Sequence, residues 1–154
     1  MKIELVFIGK TTDDYLKEGI EIYLNRLKNY LPVSVTVFPA SSAKSPERIL
    51  SEESLVILSK LQPRDHIVLL DEKGKEVRSV ELAVQMEKWM LKGINRLVFI
   101  IGGAYGVSDE VKAKAHSTLS LSKLTFTHQM IRLLLAEQLY RAMTITRNES
   151  YHHE

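Results

Sequence analysis

The sequence predicts a single α/β domain on a mostly parallel sheet, because its hydrophobic patterns change regularly along the chain. Short runs rich in Val, Ile, Leu and Phe recur, and stretches with helical periodicity separate them. The runs "VSVTVF", "HIVLL" and "LVFII" resemble strands that are covered on both faces. Since strand and helix alternate throughout, we expect five or six strands, with helices on both faces of the sheet.

The expected strands are placed by their content of β-branched and other apolar residues. They cover residues 2–9, 33–38, 66–70, 96–101 and 118–121. The length of the chain, 154 residues, fits one compact domain that spans residues 1–154.

Small polar residues that can accept a hydrogen bond from a helix start mark the expected helices. These starts are Asp13, Ser45, Ser79, Ser108 and Thr127. The third helix is expected to stop at Gly93 and the last at Met143. One apolar stripe on the first helix predicts the face that it buries, and its members are Leu16, Ile20, Tyr23, Leu24 and Leu27.

Composition narrows the class of protein. The chain has no cysteine, which excludes disulfides and thiolate metal sites and fits a reducing cytosol. No apolar run approaches the roughly 18 residues that a membrane span needs. We therefore expect a cytoplasmic protein that has neither a membrane segment nor a metal.

Net charge is only +2, but basic residues gather near the end of the chain. Residues 117–148 contain Lys123, Arg132, Arg141 and Arg147, against the single acid Glu137. This predicts a modest basic surface for a phosphate-bearing partner, although an ordinary solvated helix face has the same composition.

A glycine-rich turn follows the fourth expected strand in "LVFIIGGAYG", residues 97–106. Its spacing is not the G-x-G-x-x-G of a dinucleotide site, and no acid stands about 20 residues later. No Gly-Lys-Ser/Thr follows either, so a Walker loop is excluded. The glycines alone leave two interpretations open, a plain turn and a close approach of backbone to ligand.

Two further strand ends carry small or polar residues, in "HIVLLDEKG" at 66–74 and "SLSKLTFTH" at 120–128. The carboxyl ends of parallel strands form the binding crevice of open α/β sheets. Three loops of this character therefore predict one small-ligand site.

These segments, with "LLLAEQLYRA" at 133–142 and "NESYHHE" at 148–154, resemble the SPOUT (α/β-knot) methyltransferases. Within them, the chain resembles the enzymes that methylate N3 of a pseudouridine in large-subunit (23S) ribosomal RNA. The resemblance covers essentially the whole chain. It implies S-adenosylmethionine as cofactor and a trefoil knot in the last third of the chain. By position it implies cofactor contacts at Leu70, Gly102, Gly103, Ser122, Lys123, Leu124, Thr125, Phe126 and Thr127.

The last helix is apolar on nearly every side, from Met130 to Met143. One sheet covers only one face of a helix, so we expect a second chain to cover the other face in a homodimer. The alternative is that the helix is central within one chain. The resemblance also implies a dimer, with its cofactor site near the subunit boundary.

The end of the chain holds the candidate catalytic residues Arg141, Tyr151 and His152. Arg141 is interpreted as a phosphate clamp or a charge that complements the helix end. A pseudouridine N3 must lose its proton, so His152 or Tyr151 could act as the base, orient it or stack on the target base. His153 stands where the family often has arginine, and Thr127 stands where proline is common. A metal bound by His152, His153 and Glu154 is the weaker interpretation.

Two rival functions fit the same patterns. One is a non-catalytic module that binds the ribosome or its RNA, and the other is a different nucleotide-binding enzyme. Because phosphate contacts supply most nonspecific RNA affinity and the net charge is low, we expect the substrate to be an assembled ribosome.

Overall fold

A computed structural model describes residues 1–153 as five strands and five helices in one alternating series. The strands are β1 (Lys2–Ile8), β2 (Val33–Phe38), β3 (His66–Glu76), β4 (Arg96–Ile101) and β5 (Ser117–Ser120). The helices are α1 (Asp14–Leu27), α2 (Pro46–Lys60), α3 (Ser79–Leu91), α4 (Asp109–Lys114) and α5 (His128–Thr146).

The five strands form one sheet in the order β2-β1-β4-β3-β5, and every neighbouring pair is parallel. This confirms the expected α/β class and the lower of the two strand numbers. The order of the strands in the sheet differs from their order in the chain. Strand β4 lies between β1 and β3, and β3 lies between β4 and β5. The knot stays a prediction from the resemblance.

Side chains alternate between two buried layers, as the two-residue period of a strand requires. Leu5 and Phe99 face the layer that contains α1, α3 and α5. Val6 and Ile100 face the other layer, which contains α2 and α4. The helices therefore cover both faces of the sheet, and the strand ends remain open.

Three of the expected helix starts have cap hydrogen bonds. The side chains of Ser45, Ser108 and Thr127 each accept a hydrogen bond from a backbone N–H in the first turn. Helix α3 ends at Leu91 with Lys92 as its C-cap, and Gly93, which has a φ of 72°, terminates the helix as expected. One predicted boundary was wrong, because α5 continues to Thr146.

Strand β3 is longer than the predicted 66–70. It pairs with β5 up to Leu70, departs, and pairs again at Lys75 and Glu76. The sequence "DEKGKE" after Leu70 has no apolar alternation, so periodicity gave no sign of this return.

Helix α5 is covered within one chain. Leu135, Ala136 and Leu139 are fully buried, and α5 packs against both α1 and α3 as well as the sheet. Its apolar character is therefore explained by a central position, and it does not by itself require a second chain.

Candidate functional site

A cavity of about 760 Å³ opens at the carboxyl ends of β4 and β5 and beside residues 70–73 of β3, where that strand departs from β5. The loops that follow β4 and β5 and this irregular part of β3 form its walls, at the edge of the sheet that the three sequences predict. All but one of the predicted cofactor contacts line it: Leu70, Gly102, Gly103, Ser122, Leu124, Thr125, Phe126 and Thr127. Tertiary structure thus brings together segments that are more than fifty residues apart in the chain.

Lys123 is the exception. Its side chain is 85% exposed, and its Nζ lies 3.8 Å from Oε2 of Glu76. The longer β3 places this acid beside the loop, which is why the sequence did not indicate the pairing. A cofactor contact at Lys123 stays a prediction.

The glycines after β4 form a tight turn. The N–H of Gly106 donates to the carbonyl oxygen of Gly103 at 3.0 Å. A Cβ on Gly102 would lie 2.6 Å from the carbonyl oxygen of Gly106, so a side chain does not fit there. Gly106 has a φ of 77°, which explains why a third glycine follows the pair. The interpretation as a turn is therefore confirmed, and because this turn lines the cavity, close approach of its backbone to a ligand stays a prediction.

Glu53 of α2 lies behind Gly103, and sequence reasoning missed it. Its side chain is buried, and Oε1 accepts a hydrogen bond from the N–H of Ser41 at 3.0 Å. Oε2 has no hydrogen-bond partner within residues 1–153, and a Cβ on Gly103 would run into it. A glutamate in an ordinary helix carries no local signal of such a role. The Gly103 backbone is thus held between a carboxylate and the open cavity.

Large apolar side chains are exposed to solvent at the rim of the cavity. Leu124 is 72% exposed and Phe126 is 40% exposed, and Tyr105 stands beside them. Thr125 Oγ1 donates to Oε2 of Glu72 at 3.1 Å, which ties the irregular part of β3 to the loop after β5. An adenine ring needs an apolar slot flanked by backbone groups, and this rim together with the glycine turn supplies both. The residues present fit an adenosine-type cofactor.

Arg132 of α5 is fully buried, so it contributes nothing to a basic surface. Its Nη2 donates to the carbonyl oxygen of Ile8 at 2.5 Å, and its Nη1 donates to Thr11 Oγ1 at 3.0 Å. Burial lowers the pKa of the guanidinium to about 10. Arg132 therefore anchors the loop after β1 to α5, beside the cavity.

The three candidate catalytic residues come together around Glu137. Arg141 Nε donates to Glu137 Oε1 at 3.0 Å, and the Tyr151 hydroxyl donates to the same oxygen at 3.1 Å. The Arg141 guanidinium carbon lies 4.6 Å from the centre of the Tyr151 ring, and its Nη1 lies 3.3 Å from His152 Nδ1. We call Glu137, Arg141, Tyr151 and His152 the tail cluster.

Hydrogen bonding sets the protonation states in the tail cluster. Burial, with hydrogen bonds to Tyr23 and Glu137, raises the pKa of Tyr151, so its phenol stays protonated at neutral pH. The hydrogen bond to Glu137 raises the pKa of Arg141. Because a guanidinium only donates, His152 Nδ1 is the acceptor in this contact, and the ring N–H is then on Nε2. That Nε2 is buried without a partner in the described chain.

The tail is docked on the domain. The Tyr30 hydroxyl donates to Glu149 Oε2 at 2.5 Å, and the rings of Tyr140 and Tyr151 meet edge to face at 4.8 Å. The hydrogen bond to Glu149 raises the pKa of Tyr30 to about 12. Glu154 lies outside the described residues. Within residues 1–153, no three metal-ligating side chains of His, Cys, Asp or Glu come together.

The cavity and the tail cluster occupy different ends of α5. Ile131 lines the cavity and Arg141 belongs to the cluster, and about 15 Å of helix separates them at roughly 1.5 Å per residue. Within one chain, the two sets of predicted site residues therefore do not meet.

Fold and cavity together define a class, an α/β enzyme with a nucleotide-sized crevice at the carboxyl ends of parallel strands. A family model described as predicted SPOUT methyltransferase matches residues 1–152. The chain belongs to this family, and S-adenosylmethionine is the methyl donor of SPOUT methyltransferases.

Full-length relatives and solved structures agree with this assignment. The chain is 49% identical to a ribosomal RNA large subunit methyltransferase H of Parabacteroides distasonis, over 100% of both chains. It is 46% identical to a protein of the same name from Cytophaga hutchinsonii, over 99% of this chain and 100% of the other. Its fold is similar to a probable methylase family protein of Haemophilus influenzae Rd KW20, with a TM-score of 0.59 and 13% identity, over 99% of this chain and 70% of the other. Its fold is also similar to a probable methyltransferase of Bordetella pertussis Tohama I, with a TM-score of 0.53 and 12% identity, over 92% of this chain and 95% of the other.

None of the helices in the part of the chain that the structure describes is both long and apolar enough to cross a bilayer.

Proposed function

We propose that this chain methylates N3 of a pseudouridine in 23S ribosomal RNA. The observation that carries the proposal is the cavity, where β3 and the loops after β4 and β5 meet at the residues implied for S-adenosylmethionine. The names of the full-length relatives support large-subunit RNA as the substrate.

S-adenosylmethionine supplies a methyl group activated on a sulfonium. Leu124 and Phe126 would cover its adenine, since both side chains are exposed at the cavity rim. Gly102 and Gly103 present their backbone to the cavity, because a Cβ at either position would run into Gly106 or Glu53 on the protein side and disturb the loop. Leu70 closes the side formed by β3.

The tail cluster would act on the target base. N3 must give up its proton, to water at the site, before it can accept a methyl group, and the negative charge that this leaves spreads onto the neighbouring carbonyl oxygens until the N–C bond forms. Arg141 and the Nε2–H of His152 are donors that stabilise this charge. Tyr151 stays protonated, so it donates or stacks on the base and does not take the proton.

A homodimer would join the two halves of this site. Tyr15, which is 63% exposed, and Ile22 lie on one stripe of α1 with Gly19. Gly19 packs closely on Leu133 of α5, so this stripe adjoins α5. A second copy on this surface would bring its tail cluster to the cavity of the first, which one chain cannot do over about 15 Å of helix.

Mixing two inactive variants tests this arrangement. His152→Ala leaves the cavity intact, and Gly103→Leu leaves the tail intact. If the tail acts on its partner's cavity, the mixture regains roughly a quarter of wild-type transfer, because half of the dimers are mixed and each has one complete site. No recovery, or a stable monomer in sedimentation at micromolar concentration, would overturn the dimer.

The assembled ribosome or its large subunit is the proposed substrate, which places the enzyme in the cytoplasm. A net charge of +2 limits affinity for isolated RNA, so the shape of the particle supplies the remaining recognition. Efficient methylation of a naked RNA stem-loop would contradict this part.

Calorimetry and mass spectrometry test the central proposal. S-adenosylmethionine should bind the purified chain, and ribosomal RNA from cells without the gene should lack one methyl group on a pseudouridine. Absence of binding at millimolar cofactor would favour the rival, a non-catalytic module that binds ribosomal RNA.

A further inference from the structure

The positive charge that the sequence places at residues 117–148 is only partly available for contacts with backbone phosphates. Arg132 is buried, Arg141 is paired with Glu137 in the tail cluster, and Lys123, although 85% exposed, lies 3.8 Å from Glu76. RNA binding by this face is therefore weaker than the count of basic residues suggests. Free cations have to be sought elsewhere on the domain.

A second cavity, of about 620 Å³, lies between α3 and the edge strand β5. Lys75, Lys88 and Lys92 line it, all three are exposed, and none forms an ion pair within residues 1–153. The one acid of its lining, Glu81, accepts a hydrogen bond from the N–H of Arg78 at 2.7 Å. The cavity is therefore a concentration of unpaired positive charge.

Its floor consists of heteroaromatic rings. His66 and His116 stack with their centres 4.6 Å apart and their planes at 29°, and Trp89 lies 5.1 Å from His66. Nδ1 of His116 accepts a hydrogen bond from the N–H of Ile67 at 3.1 Å, which holds this exposed ring in place. Burial lowers the pKa of His66, as do the charges of His116 and Lys92, so this ring is neutral at pH 7.

We infer that this cavity binds a nucleotide of the substrate ribosomal RNA, separate from the one that is methylated. Its base stacks on the His116 ring, and its phosphates contact the lysines. Imidazole faces accept bases by stacking, and lysines pair with phosphates without regard to sequence. The inference rests on ribosomal RNA being the substrate, and it adds a second point of contact. Such a contact adds to the affinity for RNA, which the net charge of only +2 otherwise limits.

The second cavity shares only Leu119 with the cofactor cavity, so the two can be tested separately. The first test reverses two charges, Lys88→Glu with Lys92→Glu, and measures affinity for intact ribosomes across a series of salt concentrations. We expect affinity at least tenfold weaker and a log–log salt slope flatter by about one to two, because one or two phosphate contacts are lost. Affinity for S-adenosylmethionine should stay within twofold.

The matched control is Lys28→Glu with Lys44→Glu, which changes the net charge equally at exposed positions outside both cavities. It should bind ribosomes within about threefold of wild type. If both double variants weaken binding equally, or if neither does, the inference is overturned.

A crosslinking experiment separates RNA from a ribosomal protein as the occupant. The chain has no cysteine, so Ser117→Cys at the edge of the cavity creates a unique site for a benzophenone maleimide. Irradiation with ribosomes should produce crosslinks to ribosomal RNA, and crosslinks to ribosomal proteins alone would overturn the inference. Failure of the wild type to methylate any pseudouridine would instead contradict the proposed function.

Discussion

The cofactor cavity and the tail cluster are built in opposite ways. The cavity wall is made of backbone, glycines and exposed apolar side chains, and its polar side chains bond mostly to nearby backbone N–H groups, as at Asp71, Ser122 and Thr127. In the tail cluster, charged and aromatic side chains satisfy one another around Glu137. Binding by a backbone wall requires that the ligand come close to the main chain. A network of side chains works only when each of its hydrogen-bonding partners is present. Binding of cofactor and action on the base should therefore be separable by substitution.

Removing residues 151–154 should have the largest effect. Transfer to ribosomes should fall by roughly 10³-fold, because the groups that stabilise the developing charge are lost. Calorimetric affinity for S-adenosylmethionine should stay within twofold, since none of residues 151–153, the part of the tail that the structure describes, lines the cavity. Retention of more than a tenth of the activity would end the proposed role of the tail.

Gly103→Ala should produce the converse result. The new Cβ runs into Oε2 of Glu53, so either this buried carboxylate, which Ser41 holds by a hydrogen bond, or the loop must move. We expect cofactor affinity to drop by about 100-fold, as displacements of about 1 Å can cost. Adding Glu53→Ala should restore part of it by making room. Unchanged affinity in the single variant would show that the loop is only a turn, and a circular dichroism melt checks that each variant folds.

Tyr151→Phe tests the tail cluster by removing a single atom, the phenolic oxygen. It removes the hydrogen bond to Glu137 and keeps the ring on Arg141 and Tyr140. The free energy of unfolding should fall by about 1 kcal/mol, measured by denaturant titration. Tyr105→Phe at the cavity rim is the matched control, and its exposed hydroxyl should contribute nothing measurable. Equal losses in the two variants would contradict the view that the network is cooperative.

Alkaline pH should release the tail and leave the cavity in place. The pKa of Tyr30 is raised to about 12 in the folded chain, from an ordinary value of 10.0. Its contribution is therefore complete below pH 10 and is lost as the pH rises toward 12. Carboxypeptidase should digest the tail faster over this range in the wild type. Tyr30→Phe should be digested fast at every pH, and a pH-independent wild type would refute the docking role.

The local parts of the site were predictable because they depend on neighbours in sequence. The "LVFIIGGAYG" and "SLSKLTFTH" segments have strand and turn patterns that place their loops at the same edge of a parallel sheet. The boundaries of β2 and β4 matched the predicted ranges for the same reason. Their function came from the resemblance of these segments to a family, since glycine spacing alone left both interpretations open.

The long-range parts were not predictable from periodicity. Glu53 stands next to Gly103 only because α2 packs under β1 and β4, and nothing in "SEESLVILSK" marks it. Arg132 counted as a surface charge until the fold buried it against Ile8 and Phe7. Lys75 and Lys88 meet His116 only after β5 has paired with β3.

By itself, the sequence determined the α/β class, the order of the elements and the chemical character of each strand-end loop, since these follow from periodicity and capping within a few residues. Only the tertiary structure decided which charges are free, which are buried and which residues share a site. The physical reason is that a side chain's solvation and partners depend on elements far away in the chain, as with Tyr30 and Glu149 or Arg132 and Ile8.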